Sequence, residues 1–352
     1  MLANIGNPGL KWETTRKANL GFDLSLLENR LSLSADVYDH HTKDLLTLKQ
    51  LSEVSGFTTY WANDGALRNR GFEVAANARI INSPRFRWEV SASIAHNKNE
   101  VLHLADGNYT TSIYDAEVLT AEGGPVAQFY GYKFLGVYKD QAQVDAYKNL
   151  KIKNENGTYS YFAPGDAIFE DVHADGIIDE KDKQVIGDPN PDFTGAIAST
   201  FSYKNVSLSA TMGYSLGNDM YNYQRRVLES MTGFENQTTA VNNRWRYEGH
   251  QTDVPKAVYG DPMGNARFST RWMEDASYLR LRNVTLSWDV PYKVPFINAM
   301  TVWASANNLW TWTSYLGCDP ENAVSNNVLY QGIDAGLLPQ GASYLVGLRF
   351  NL

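Results

Sequence analysis

Apolar and polar side chains alternate with a period of two over much of the chain. Ala18, Leu20, Phe22, Leu24 and Leu26 alternate with Asn19, Gly21, Asp23 and Ser25, and after Glu28-Asn29 the pattern resumes at Leu31, Leu33, Ala35 and Val37. Successive side chains of a strand point to opposite faces, so this pattern predicts a hairpin with one apolar face. A second pair, 72–80 and 86–94, is broken at Asn82-Ser83-Pro84, and a third, 193–201 and 206–212, at Lys204-Asn205. Further strands are predicted over 277–289, 300–312 and 344–350, giving nine in all. In the first of these, strict alternation puts Tyr278, Arg280 and Arg282 on the face of Val284, Leu286 and Trp288, so its outer half is expected to turn a different surface.

The connections sharpen this picture. Those at 27–30, 81–85, 203–206 and 290–298 are short, and those at 44–67, 99–191, 217–276 and 313–341 are long, in strict alternation. A transmembrane barrel alternates in this way because its periplasmic turns are tight and its outer loops long. The fold class is therefore all-β, with antiparallel spanning strands and long extracellular loops. The segment 99–191, including the aromatic run Phe129 to Phe134, is expected to add no spanning strand. The first and last strands then both run inward. The apolar faces would meet lipid and the polar faces line a lumen. Trp88, Tyr203, Trp288, Trp303, Trp310, Trp312, Tyr344 and Phe350, near strand ends, are expected to form aromatic girdles.

Composition narrows the function classes. With 31 Lys and Arg against 39 Asp and Glu, a net charge of −8, there is no concentrated basic face for nucleic acid. Cys318 stands alone, which excludes an intrachain disulfide, and no Cys/His spacing suits structural zinc. No apolar run reaches the roughly 18 residues of a spanning helix, and the residues after Met1 lack the regions of an export signal. The six His are scattered, and no nucleophile elbow or phosphate-binding loop is present, so no enzyme activity is expected.

One motif carries candidate chemistry. Asp171, His173, Asp175, Gly176, Ile177, Asp179 and Asp182 fall at positions 1, 3, 5, 6, 7, 9 and 12 of an EF-hand-like loop. The carboxylates of Asp171, Asp175, Asp179 and Asp182 and the carbonyl of Ile177 are candidate calcium ligands. His173 stands where an oxygen donor is expected, and Asp182 is shorter than the usual bidentate Glu. The alternative is an Asp-rich turn held by side-chain to backbone hydrogen bonds.

Several segments, taken in order, resemble the carboxyl-terminal half of SusC/RagA-type TonB-dependent transporters of the Bacteroidetes outer membrane. They are Gly6 to Glu13, Asn69-Arg70-Gly71-Phe72-Glu73, the acidic loop Gly165 to Asp182, Pro191-Asp192-Phe193-Thr194-Gly195, Ser277 to Val284, and Asn307 to Thr313 leading into Gly317-Cys318-Asp319-Pro320-Glu321. The resemblance implies a plugged barrel of about 22 strands, of which residues 1–352 would be the carboxyl-terminal part. An export signal, the plug, the TonB-contacting segment and the remaining strands are expected upstream. It further implies TonB-dependent import of a bulky nutrient, glycan or peptide, across the outer membrane, with a SusD-like surface lipoprotein as partner. Loop aromatics such as Trp61, Tyr109, Tyr114, Tyr221 and Tyr223 are candidates to stack on ligand, or alternatively to pack the loops. A passive porin-like or adhesin barrel, and a soluble β-sandwich carbohydrate-binding domain, are the competing readings.

Overall fold

The computed structural model describes residues 4–50, 59–147, 150–153, 157–292 and 297–351. Nine strands pair in chain order into one antiparallel sheet. They are β1 (Thr14–Leu26), β2 (Leu31–Lys43), β3 (Gly65–Asn82), β4 (Phe86–Leu104), β5 (Phe193–Tyr203), β6 (Val206–Leu216), β7 (Tyr278–Asp289), β8 (Ala299–Thr313) and β9 (Ser343–Asn351). The sheet passes directly from β4 to β5, so the long segment between them adds no strand to it. β1 and β9 are the edges.

The register puts the two faces into continuous rows. Leu33, Ala76, Ala92, Ile197, Met212 and Leu281 are lateral neighbours on one face. On the other, Asn77 lies beside Ser91, and Thr211, Asn283, Asn307 and Ser343 follow on β6 to β9. Asn283 Nδ2 donates to Ser305 Oγ and to Asn307 Oδ1, both at 2.7 Å, so the polar face ties strands together by side chains as well as backbone. A cavity of about 400 Å³ opens on this face beside Asp36, Glu73 and Ser93.

The outer half of β7 turns a different surface from its inner half, as expected, and a bulge is the cause. Asn283 pairs with Thr211 while Leu281 pairs with Met212, leaving Arg282 as an extra residue in a β-bulge. The bulge reverses parity. Leu279 and Leu281 thereby stay on the apolar face beside Tyr214 and Met212, and Tyr278 and Arg280 turn to the polar face beside Ser215 and Gly213. Tyr278 and Arg280 therefore do not share the face of Val284, Leu286 and Trp288.

The expected girdle residues, joined by Phe86, Phe193, Phe201 and Tyr214, form two bands on the apolar face, with one exception. Phe86, Trp88, Phe201, Tyr203, Trp288 and Phe350 lie toward the short turns, and Phe193, Tyr214, Trp310, Trp312 and Tyr344 toward the long loops. From Tyr203 to Phe193 the strand covers roughly 33 Å, about 25 Å along the normal of a barrel tilted by ~40°, the height of a lipid-facing belt. Trp303 is the exception and corrects the girdle assignment. It pairs with Ser287 on the polar face and lies across Gly347, where a Cβ would meet its ring at 2.4 Å. Only glycine leaves room for the indole there.

Candidate functional site

The long connections fold on each other into a cap at one end of the sheet. Residues 219–222 pair antiparallel with 273–275 and in parallel with 333–334, which joins two connections through backbone hydrogen bonds. A third is locked in by packing. Phe129, Tyr221, Trp272 and Ile333 are each 0% exposed and belong to one cluster with Phe268. The indole of Trp272 donates to the Arg267 carbonyl at 3.1 Å. A second core, around Tyr138, Phe162, Phe169 and Ile178, is built almost wholly from residues 132–178 and is closed by Met263. Burial pushes the Tyr132 hydroxyl up to about 12.

Charged groups buried in the cap are paired or stacked. Arg225 bridges Glu229 at 3.1 Å and Glu274 at 3.0 Å. Its neighbour Arg271 lies 4.4 Å over the ring of Trp272, and burial pushes its guanidinium down to about 10, aided by the like charge of Arg225.

A further cluster fastens the last loop to the sheet. Arg280 is 3% exposed and Asp319 2%. The Arg280 guanidinium pairs with the Asp319 carboxylate and lies 2.7 Å from Glu321, although the latter contact is off the line of a hydrogen bond. Asp319 also accepts from the amides of Glu321 and Gln340, both at 3.0 Å, and Tyr278 donates to Glu321 at 2.6 Å. The bulge at Arg282 is what brings Arg280 to this side, and Arg282 itself pairs with Glu321.

The acidic loop uses its carboxylates on its own backbone. Asp182, 1% exposed, accepts from Val172 and Asp179 at 2.9 Å and from His173 at 3.4 Å. Asp171 accepts from Gly176 at 2.9 Å, Asp175 from Ile177 at 2.9 Å, and Asp179 from Lys181 at 2.9 Å. Among the described residues no three acidic, His or Cys side chains converge as a metal site. These hydrogen bonds fit an Asp-braced turn, which the spacing left open beside a cation loop.

The aromatic candidates separate. Tyr221 is fully buried, its ring 4.8 Å from Phe268 and its hydroxyl donating to the Tyr114 carbonyl at 3.2 Å. It packs loops and is closed to ligand, contrary to its selection as a binding residue. Tyr223 is half-buried between Tyr114 and Tyr221. It edges a cavity of about 400 Å³ that also touches Arg226, Thr232, Glu235 and Gly260. Trp61 is 45% exposed on the short strand Thr59–Asn63. Sequence reasoning missed Phe234 and Tyr259, which adjoin the cavity-lining Glu235 and Gly260 in the chain; their rings lie 5.1 Å apart, and the two residues are 90% and 72% exposed. The available signal was an aromatic residue set among polar and glycine neighbours, Thr232-Gly233-Phe234-Glu235.

Comparison with known proteins agrees with this architecture. Residues 2–309 match the family model described as TonB dependent receptor-like, beta-barrel. The TonB-dependent receptor P3 of Formosa agariphila is 32% identical over 100% of this chain and 35% of its own length. SusC of Bacteroides thetaiotaomicron is 27% identical over 98% of this chain and 32% of its own. The RagAB peptide importer in its open-open state superposes with a TM-score of 0.78 at 25% identity, covering 99% of this chain and 36% of that one. The chain thus spans about a third of the length of the curated relatives it matches. With its lipid-facing belt and its matched span, the chain belongs to the TonB-dependent receptor family of outer-membrane proteins and forms part of the family's β-barrel.

Proposed function

We propose that this chain supplies the carboxyl-terminal nine strands of a plugged barrel that imports a bulky nutrient, glycan or peptide, using energy delivered through TonB. In this reading the tight turns face the periplasm, the cap faces outward, and a SusD-like surface lipoprotein closes over it. The observation that carries the reading is the folded cap: three long connections sharing one apolar core make a preorganised rim rather than loose loops. Preorganisation lowers the entropy lost when a large ligand binds. Phe234, Tyr259 and Trp61 present open ring faces to that ligand, while Tyr221 holds the rim together. The likeness to the RagAB peptide importer supports the peptide class.

The test is uptake of labelled oligosaccharide and peptide mixtures by cells carrying the full-length receptor, with and without TonB. The proposal expects uptake of one class that stops when TonB is removed. Uptake that persists without TonB would support the passive porin reading.

A further inference from the structure

On the apolar face, most of the wall ends toward the cap in aromatic rings, but the sector formed by β1 to β4 ends differently. The His96 ring packs 5.7 Å from Phe72 and 5.4 Å from Phe193, which marks the upper edge of the apolar belt on these strands. Beyond that edge β3 and β4 continue, and the residues on the same face become charged. Two residues further, Asp39, Arg70 and Lys98 stand side by side; four residues further, Arg16, His41, Arg68 and Glu100 do. Lys43 follows next to Thr14. Five cations thus meet two carboxylates, an excess of three, in a chain whose net charge is −8.

The excess is not consumed internally. Arg68 grips Asp39 with Nε at 2.9 Å and with a second nitrogen. Arg16, Lys43, Arg70 and Lys98 are exposed and make no ion pair among the described residues. Arg16 also lines a cavity of about 290 Å³ together with Ala18, Asp39, His41, Arg68 and Leu102.

The height is also right. At about 3.3 Å per residue the two charged rows lie roughly 7 and 13 Å beyond the belt edge along the strands. With the tilt this is about 5–10 Å along the normal, and the polar layer of a bilayer adds roughly 5–8 Å beyond the hydrocarbon on each side. Basic clusters at that depth attract anionic headgroups.

We propose that the outer wall of β1 to β4 binds the phosphate-bearing headgroup of an outer-leaflet glycolipid, with Arg16, Arg70 and Lys98 as the principal phosphate contacts. This rests on the reading above that the cap faces outward. Bound lipid on this sector would fix the receptor's rotation and height relative to the membrane surface.

The experiment uses the full-length receptor in detergent, exposed in turn to a phosphorylated glycolipid, its dephosphorylated form and phosphatidylglycerol, with retained lipid counted by native mass spectrometry. Wild type is expected to retain the phosphorylated glycolipid at least tenfold better than the dephosphorylated form. Arg70→Gln/Lys98→Gln is expected to lose that preference, whereas Arg85→Gln/Lys204→Gln, an equal loss of charge at the short-turn end, keeps it. Should the first variant fold poorly, raising salt from 0.1 to 1 M, which shortens the screening length from about 10 to about 3 Å, must release the glycolipid from wild type. Equal retention by both variants, retention unaffected by salt, or displacement by millimolar inorganic phosphate alone would overturn the proposal. Preference for phosphatidylglycerol at the same residues would instead overturn the outward orientation on which it rests.

Discussion

The sheet and the cap are built by opposite rules. Among the described residues of the nine strands only Gly65, Val101, Ser215 and Arg280 are buried, whereas the cap holds fully buried side chains as large as Trp272, Tyr138 and Tyr221. The sheet has no core of its own, because its apolar face is meant for lipid and its hydrogen bonds are satisfied strand to strand. The cap stands in water and must exclude it, so it folds as a small globular protein does, by bringing together residues far apart in the chain. Change in one region should therefore leave the other standing, and four experiments exploit that separation.

Trp272→Ala should have the largest effect. Truncating a fully buried Trp typically costs about 3–5 kcal/mol, and this one also holds Arg271 and the Arg267 carbonyl. Limited proteolysis should then cut 99–191, 217–276 and 313–341 together, while the barrel keeps its heat-dependent shift in gel mobility. Cutting confined to 217–276 would mean that the three connections do not share one core.

Arg280→Leu comes next, since stranding a buried carboxylate costs about 3–5 kcal/mol but frees one loop only. Hydrogen exchange should rise across 314–342 and not across 132–178. Acid should mimic it. Burial alone would raise the Asp319 carboxyl, yet hydrogen bonds from Arg280 and from the amides of Glu321 and Gln340 outweigh this and hold it below the usual carboxylate range. A carboxyl depressed in the folded state stabilises at pH above its unfolded value of about 4 and loses that contribution as pH falls through the folded value. Exchange across 314–342 should thus be flat from pH 7 to 5, after correction for intrinsic rates, and rise below about pH 4.

Asp182→Ala should act more locally, exposing 171–182 to protease by leaving three backbone amides without an acceptor, at about 1–3 kcal/mol for each one buried. The wild-type loop should resist protease equally in calcium and in chelator. Protection that requires calcium would restore the cation to Asp171, Asp175, Asp179 and Asp182. Smallest is Phe234→Ala, expected to lower ligand uptake a few-fold with no change in melting temperature.

The same contrast explains what was legible in the sequence. In the sheet each residue's surroundings follow from its parity and its neighbours, so the nine strands, the turn alternation and the fact that the segment between β4 and β5 adds no strand to the sheet could be read directly. Parity failed where local geometry changed. Arg282 adds one residue to β7 and reverses its outer half, and Trp303 sits on the polar face because Gly347 makes room for it. In the cap, little was legible. Arg280 and Asp319 are 39 residues apart, and Tyr221 meets Phe129 and Ile333 only through three separate connections, a relation that spacing does not encode. In the acidic loop one spacing suits both a bound cation and carboxylates that cap their own backbone amides.

The central claim is that one face of the sheet meets lipid and the other a water-filled lumen. Adjacent β4 residues test it: Ala92 lies in the apolar row and Ser91 in the polar one. A polarity-sensitive fluorophore should be attached to Ala92→Cys or Ser91→Cys in the full-length receptor with Cys318→Ser, reconstituted in bilayers. Quenching by nitroxide-labelled lipid at position 92 and by a small water-soluble quencher at position 91 is the predicted result. The reverse pattern, or equal quenching at both positions, would contradict the account.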